Sequence, residues 1–363
     1  MAIVKTDVPM TSALCEKTIL ELVNTYPFLG TRVLTTTAFG RPVRMLSVGG
    51  GDRKVLYTAA HHANEWITAP VLLKFMEELA QAIRDGGKLY GVEAANISRA
   101  ATIYAVPMVD PDGVDLVTGA IEPGTLEFVT AQRLSDNYPQ IPFPDGWKAN
   151  LLGVDLNLQY PAGWLEAREI KFSQGYTKPG PRDYVGRAPL NQRESIALAQ
   201  FTEEIDPALV LAYHTQGKVI YWQFKDYEVP GARALGEEFA RLSGYTLSDT
   251  PYESSFAGYK DWFIQTFRRP GYTIEAGSGE NPLPIQQFDE IYRDNLGILV
   301  TAALGLRAER KYTHRSGSKP PRCLVFHLLS TKGHLRISGR LPLGFLPKIC
   351  DNNSVYSGGG TLF

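Results

Sequence analysis

The chain has 363 residues, of which 44% are hydrophobic and 21% charged. These proportions exclude a wholly disordered, collagen-like or disulfide-scaffold protein. A formal net charge of −1 supplies no global field for gathering nucleic acid or anionic lipid, so neither a nucleic-acid partner nor stable membrane insertion is expected. The balance conceals an asymmetry. Of 37 Lys and Arg and 38 Asp and Glu, ten and two lie from Arg307 onward, leaving an acidic body of 27 basic and 36 acidic side chains. Cys15, Cys323 and Cys350 are widely spaced and contain no CxxC pair, which fits a reducing compartment. The N-terminus shows no basic start followed by an apolar run, so a cytoplasmic location is expected, with export by a separate route left open.

In chain order, CEKTILELVNTYP reads as a short amphipathic helix stopped by proline, and RVLTTTAFGRPVRMLSVGGG as a hairpin about Gly40, Arg41 and Pro42. KVLYTAA, Lys54 to Ala60, is a buried-type strand that runs through HHANEWITAP into a helix with Leu72, Phe75, Leu79 and Ile83 on one face. ATIYAVPMV is a second strand entering a turn, DPDG, at Asp110 to Gly113. Residues 119 to 150 read as a long irregular excursion, and such loops are usually functional. QRESIALAQFTEEI reads as a helix, LVLAYHT as a buried strand, GARALGEEFARLSG as a helix ended by Gly244, and GYTIEAG as a strand. A last helix is expected near Gln286 to Leu306. Strands alternating with helices imply an α/β sheet with helices on its faces. After Leu306 the composition turns to Gly, Ser, Pro and basic residues without a sustained period, which predicts a catalytic domain over 1–306 and a poorly ordered basic extension over 307–363.

The body holds only three histidines, His61, His62 and His214. His62 and Glu65 form an HxxE spacing where a strand passes into a helix, and His214 ends another buried strand. Two His and one carboxylate are a common donor set for catalytic zinc, with a fourth position left for water. HxxE alone is not specific, and neither HExxH nor HxxEH occurs. His61 points away from its neighbour if the strand pleat continues, so a core role is expected for it. Glu275 is an acid inside an apolar strand. Burial would tune such a carboxylate toward general-base work, and a structural ion pair is the alternative.

Six pieces in order, HHANEW, PMVDPDG, WKANLLGVDLNLQYPAGW, AYHTQG, AGYKDW and YTIEAGSG, spanning residues 55 to 281, resemble the zinc carboxypeptidase A family of metallopeptidases. The WKANLLGVDLN block, QYPAGW and EAGSGENPLP look more narrowly like its bacterial γ-D-glutamyl-meso-diaminopimelate endopeptidase branch, which cuts peptidoglycan stem peptides. The resemblance implies a single α/β domain: a mixed, mostly parallel twisted sheet with helices on both faces. Some members of that branch carry N-terminal LysM modules; here the catalytic pattern begins within the first residues, and none is expected.

Carried over by position, the resemblance implies one zinc ion held by His62, Glu65 and His214, and Glu275 as the base for the attacking water. It implies Asp155 as the carboxylate that orients a histidine ligand, Asn157 as a substrate-binding amide, and Lys148 where carboxypeptidases have an arginine that polarises the scissile carbonyl. Tyr252, or Tyr259 if the alignment slips, is the expected mobile tyrosine. Leu158 departs from the pattern: the family motif continues with an arginine that binds the substrate's terminal carboxylate, and leucine cannot. Arg268 and Arg269 are candidates to take over that task. The expected activity is therefore zinc-dependent cleavage of a peptidoglycan-derived peptide, with a carboxypeptidase on ordinary peptides or a non-catalytic cell-wall peptide binder as alternatives.

Overall fold

A computed structural model describes residues 2–306. The first half of the chain folds as α1 (Ser12–Thr25), β1 (Gly30–Thr36), β2 (Pro42–Gly49), β3 (Arg53–Thr58), α2 (Thr68–Asp85), a two-residue ladder β4 (Lys88–Leu89) and β5 (Val92–Glu93), α3 (Ala94–Ala100), β6 (Ala101–Val106), α4 (Pro111–Val117), α5 (Leu126–Ser135) and α6 (Trp164–Ser173). There follow α7 (Arg193–Ile205), β7 (Leu209–His214), β8 (Val219–Tyr221), α8 (Ala232–Ser243), β9 (Thr246–Ser248), α9 (Tyr259–Phe267), β10 (Gly271–Glu275) and α10 (Phe288–Leu304). No helix among them is long and apolar enough to cross a membrane.

The eight-stranded sheet has the order β1-β2-β6-β3-β7-β10-β8-β9. Its centre, β6-β3-β7-β10, is parallel, and antiparallel pairs at β1-β2, β2-β6 and β10-β8 make it mixed. The architecture is the expected one. Strand β7 shows why the sequence folds this way: all six residues of LVLAYH are buried, and a strand without a polar face needs cover on both sides. Leu209, Leu211 and Tyr213 pack with α1, α2, α8 and α10, whereas Val210 and Ala212 pack with α6, α7 and α9. The same alternation divides Tyr57 from Leu56 on β3. Tyr57 donates its hydroxyl to Leu299 O on α10 at 2.8 Å, which satisfies the one polar atom it buries.

Two expectations need correction. DPDG opens helix α4: Asp110 caps it, its Oδ1 accepting the Gly113 N–H at 3.0 Å, and Pro111 occupies the first turn. Gly113 is required there by close approach, since a Cβ would lie 2.6 Å from Ala149 O and 2.8 Å from Ala63 Cβ. The 119–150 excursion contains helix α5, capped by Thr125, and ends on a small apolar cluster of Leu116, Ile121, Trp147 and Leu151. The extension expected over 307–363, with its boundary, lies outside the described residues.

Glu194, in the first turn of α7, is buried beside Asp112. Burial, with repulsion from Asp112, raises its carboxyl from the ordinary 4.5 to about 7. The folded state thus holds this proton more tightly than the unfolded state, and the stability it confers is lost as pH rises from about 4.5 through about 7. Glu194→Gln should flatten that decline, leaving the variant up to about 3 kcal/mol more stable than wild type at pH 8; denaturant titrations at pH 5 and pH 8 would check it.

Candidate metal centre and active site

Parallel neighbours end together, and the expected site residues lie at those ends. Glu275 is paired in register with His214 across β10 and β7, and β3 runs on their other side into His62. Open α/β sheets bind ligands at this carboxyl edge. After β3 the chain makes a sharp bend, with Ala60 at φ 46, and a 3₁₀ turn at Ala63–Glu65. The bend is held where its backbone would otherwise go unpaired. Thr68 Oγ1 accepts the Ala60 N–H at 3.0 Å and donates to Glu65 O at 2.7 Å, and the Ala63 N–H reaches Lys148 O at 3.1 Å.

His62, Glu65 and His214 converge there, all buried, with ligand atoms within 4.8 Å of one another. His62 Nδ1 lies 2.9 Å from Glu65 Oε1, His214 Nδ1 2.9 Å from Glu65 Oε2, and the two Nδ1 atoms 3.2 Å apart. Four atoms bearing lone pairs that face each other in a buried place fit a cation. Two imidazoles and a carboxylate are the donors zinc prefers, with room for a fourth ligand. The far nitrogen of His62, Nε2, lies 3.1 Å from Asp155 Oδ1; a proton held there leaves the Nδ1 lone pair directed at the centre. Burial opposes ionisation of Asp155, but His62, Lys148 and Lys171 together hold its carboxyl well below the usual range.

Glu275 faces the same cavity. Burial and the neighbouring Glu65 carboxylate raise it to about 8, against the pull of Lys148 and His62, a range suited to a base that takes and returns a proton. Lys148 follows Trp147, which is fully buried and donates its Nε1 hydrogen to Ala149 O at 2.7 Å. The ammonium lies 3.2 Å from Glu65 Oε1. Burial works against its charge, yet Glu65 keeps its proton affinity above the ordinary lysine value.

Asn157 lines the cavity, but its Oδ1 is occupied by the Tyr259 N–H at 3.0 Å, tying its turn to α9. Leu158 also lines the cavity and is buried against the second core. Tyr252 lies on the rim, 67% exposed and edge-on to Phe256, whereas its neighbours Pro251 and Ser254 face the cavity. Tyr259, the competing position, is fully buried with its hydroxyl 2.8 Å from Thr202 Oγ1. His61 is a core residue stacked on His214, with a ring-centroid distance of 5.5 Å, and burial keeps it neutral.

The two proposed terminal cations are corrected. Arg269 is paired with Asp206 at 2.6 Å, and Arg268 stacks on Tyr227 at 3.6 Å; neither lines the cavity. The cations that do are Lys148, Lys171, Arg182 and Lys260. Sequence reasoning missed the last three: Arg182 lies in KPGPRDY, which carries only turn signals, and neither Lys171 in EIKFS nor Lys260 in AGYKDW has a spacing that marks it.

The cavity, about 240 Å³, meets a wider cleft of about 970 Å³, and both are lined by Lys148, Arg182, Tyr221 and Glu275. Lys148, Arg182, Tyr221 and Glu275 thus stand where the two spaces adjoin.

Residues 15–297 match the family model described as zinc carboxypeptidase. A γ-D-glutamyl-L-diamino acid endopeptidase of Lysinibacillus sphaericus is 43% identical over 284 residues, covering 78% of this chain and 69% of that protein. An uncharacterized protein of Bacillus subtilis strain 168 is 39% identical, covering 78% and 74%. Among solved structures, thrombin activatable fibrinolysis inhibitor superposes with a TM-score of 0.65 at 16% identity over 84% of this chain and 76% of that one. Carboxypeptidase A of Helicoverpa armigera gives 0.60 at 16% identity, over 83% and 75%; these two show a shared fold.

One zinc per chain is the expected content of metal analysis. Zinc binding should raise the thermal midpoint by several degrees, as binding to the folded state alone requires, and His214→Ala should abolish both the stoichiometric metal and the shift.

Proposed function

The chain belongs to the zinc carboxypeptidase family, and from that premise we propose that it is an endopeptidase cutting the γ-D-glutamyl to diaminopimelate bond of peptidoglycan stem peptides. The chain is a zinc metallopeptidase, and the bond it cuts is what the proposal adds. The observation that carries the reading is the pair of adjoining spaces that share Glu275 and Lys148, with Leu158 lining the inner one where a terminal carboxylate would need a cation. The 43% identity to a γ-D-glutamyl-L-diamino acid endopeptidase supports the choice of bond.

His62, Glu65 and His214 would hold the zinc ion, which supplies Lewis acidity and a water of lowered pKa when bound. Glu275 removes the proton of the attacking water on a carboxylate oxygen and returns it to the nitrogen of the departing diamino acid. Lys148 presents its ammonium toward the oxygen on which negative charge develops. It acts as a point donor, not a planar fork, so its positioning depends on the Trp147 anchor. Asp155 holds His62 in one tautomer, and Asn157, its Oδ1 taken by the Tyr259 N–H, has its Nδ2 group left to donate to substrate.

The test is incubation with L-Ala-γ-D-Glu-meso-diaminopimelate extended by D-Ala, with products identified by mass beside a chelator-treated sample. Release of L-Ala-D-Glu that chelator abolishes is the expected result. Loss of D-Ala alone would make the protein a carboxypeptidase. Glu275→Gln should keep stoichiometric zinc and the wild-type thermal midpoint while lowering kcat by about 100- to 10,000-fold; retained turnover would remove Glu275 as the base.

A further inference from the structure

Among the described residues four cations line the cavity, and two of them, Lys171 and Lys260, are held by other groups of the protein. Lys171 Nζ lies 2.7 Å from Asp183 Oδ1. Lys260 Nζ donates to Gln223 O and Thr250 Oγ1 and is ion-paired with Asp261 Oδ1 at 2.6 Å. Lys148 faces Glu65. Arg182 differs. Among the described residues only its Nε meets an acceptor, Asp183 Oδ2 at 2.6 Å, and that carboxylate is already shared with Lys171. Both terminal nitrogens are left without a protein partner among those residues, and the side chain is 39% exposed.

Its placement is built by the backbone around it. Pro181 O accepts the N–H groups of Lys148 and Ala149 at 2.7 and 2.9 Å. Asp183 stands in the left-handed region at φ 64 and directs its N–H to Asp155 Oδ2 at 3.4 Å. A residue with a β-carbon keeps that conformation where its surroundings hold it. The segment is thereby tied to the carboxylate that orients His62, and Arg182 stands at the junction of the two cavities.

There the guanidinium and the Lys148 ammonium line the same two spaces. Two like charges lining one junction favour an anion between or beside them, and a planar fork with two unused N–H edges suits a carboxylate. In a γ-linked glutamyl peptide the anion next to the scissile bond is the free α-carboxylate, separated from the scissile carbonyl by Cα, Cβ and Cγ. An ordinary α-linked peptide has a neutral amide in that neighbourhood. We propose that Arg182 is the specificity-determining residue that receives the free α-carboxylate of the γ-D-glutamyl residue on its terminal nitrogens. The inference rests on the endopeptidase reading above.

The experiment compares two substrates on zinc-loaded full-length enzyme: the tetrapeptide described above, and the same peptide with the glutamyl α-carboxylate converted to a carboxamide. Wild type should favour the acid in kcat/KM by about tenfold to a hundredfold, the range expected for hydrogen bonds to a charged group. Arg182→Gln should lose that factor on the acid and stay within about twofold of wild type on the amide. Arg182→Lys should fall between, keeping charge and losing the fork. Equal rates of the wild type on both peptides would overturn the proposal without any variant. A loss by Arg182→Gln that is the same on acid and amide would also overturn it, as that is the mark of a structural role. Cleavage of neither peptide by wild type would overturn the endopeptidase reading itself, and this inference with it.

Discussion

A carboxylate buried between two imidazoles is the constraint around which this molecule is arranged. Glu65 has both oxygens within 2.9 Å of a ring nitrogen and is closed off from water. An ionised group in such a place needs compensating positive charge, or the fold loses several kcal/mol. Each neighbour contributes to that requirement: Lys148 brings its ammonium, the Thr215 N–H points at Oε2 from 3.3 Å, and the donor set leaves a place for a divalent cation. The 3₁₀ turn, the Thr68 brace and the Trp147 anchor keep these groups from relaxing away from one another. The catalytic arrangement and the solution to a burial problem are the same set of contacts.

From that centre the charges alternate outward. Asp155 answers His62, Lys171 answers Asp183, and Arg182 shares Asp183. The alternation stops at the junction of the two cavities, where Arg182 has capacity left over. Leu158, facing the same space, offers only apolar surface. Selectivity for an anion has thus been separated from the helix and strand ends that hold the metal and placed on a loop fastened to them, as is usual where a rigid scaffold carries variable recognition.

Much of this was legible in the sequence. Three histidines in the body made the ligand search short, and strand β7, apolar at every position, announced a sheet covered on both faces. HxxE at a strand-to-helix passage located the centre, and the order of the matching pieces identified the fold. Local patterning could not reveal contacts made by residues far apart with no special composition. Arg182 lies in a segment of Pro and Gly whose path is set by hydrogen bonds to residues 148 and 155. Tyr221 sits on a three-residue strand too short to show a period. DPDG looked like a turn because Asp, Pro and Gly favour turns, yet the same residues start helices, and only the close packing of Gly113 against Ala63 and Ala149 decides between the two.

Along β7, odd-numbered side chains serve one helical layer and even-numbered ones the other, and His214 is the last residue of that alternation. A slip of one residue against β3 or β10 would turn its imidazole to the opposite face and break the pairing with Glu275. Ion capture therefore reports on the correctness of the whole central sheet. A chain that has mispaired its strands cannot complete the site, so a metal that favours the complete site also favours, by mass action, the molecules that have folded in register.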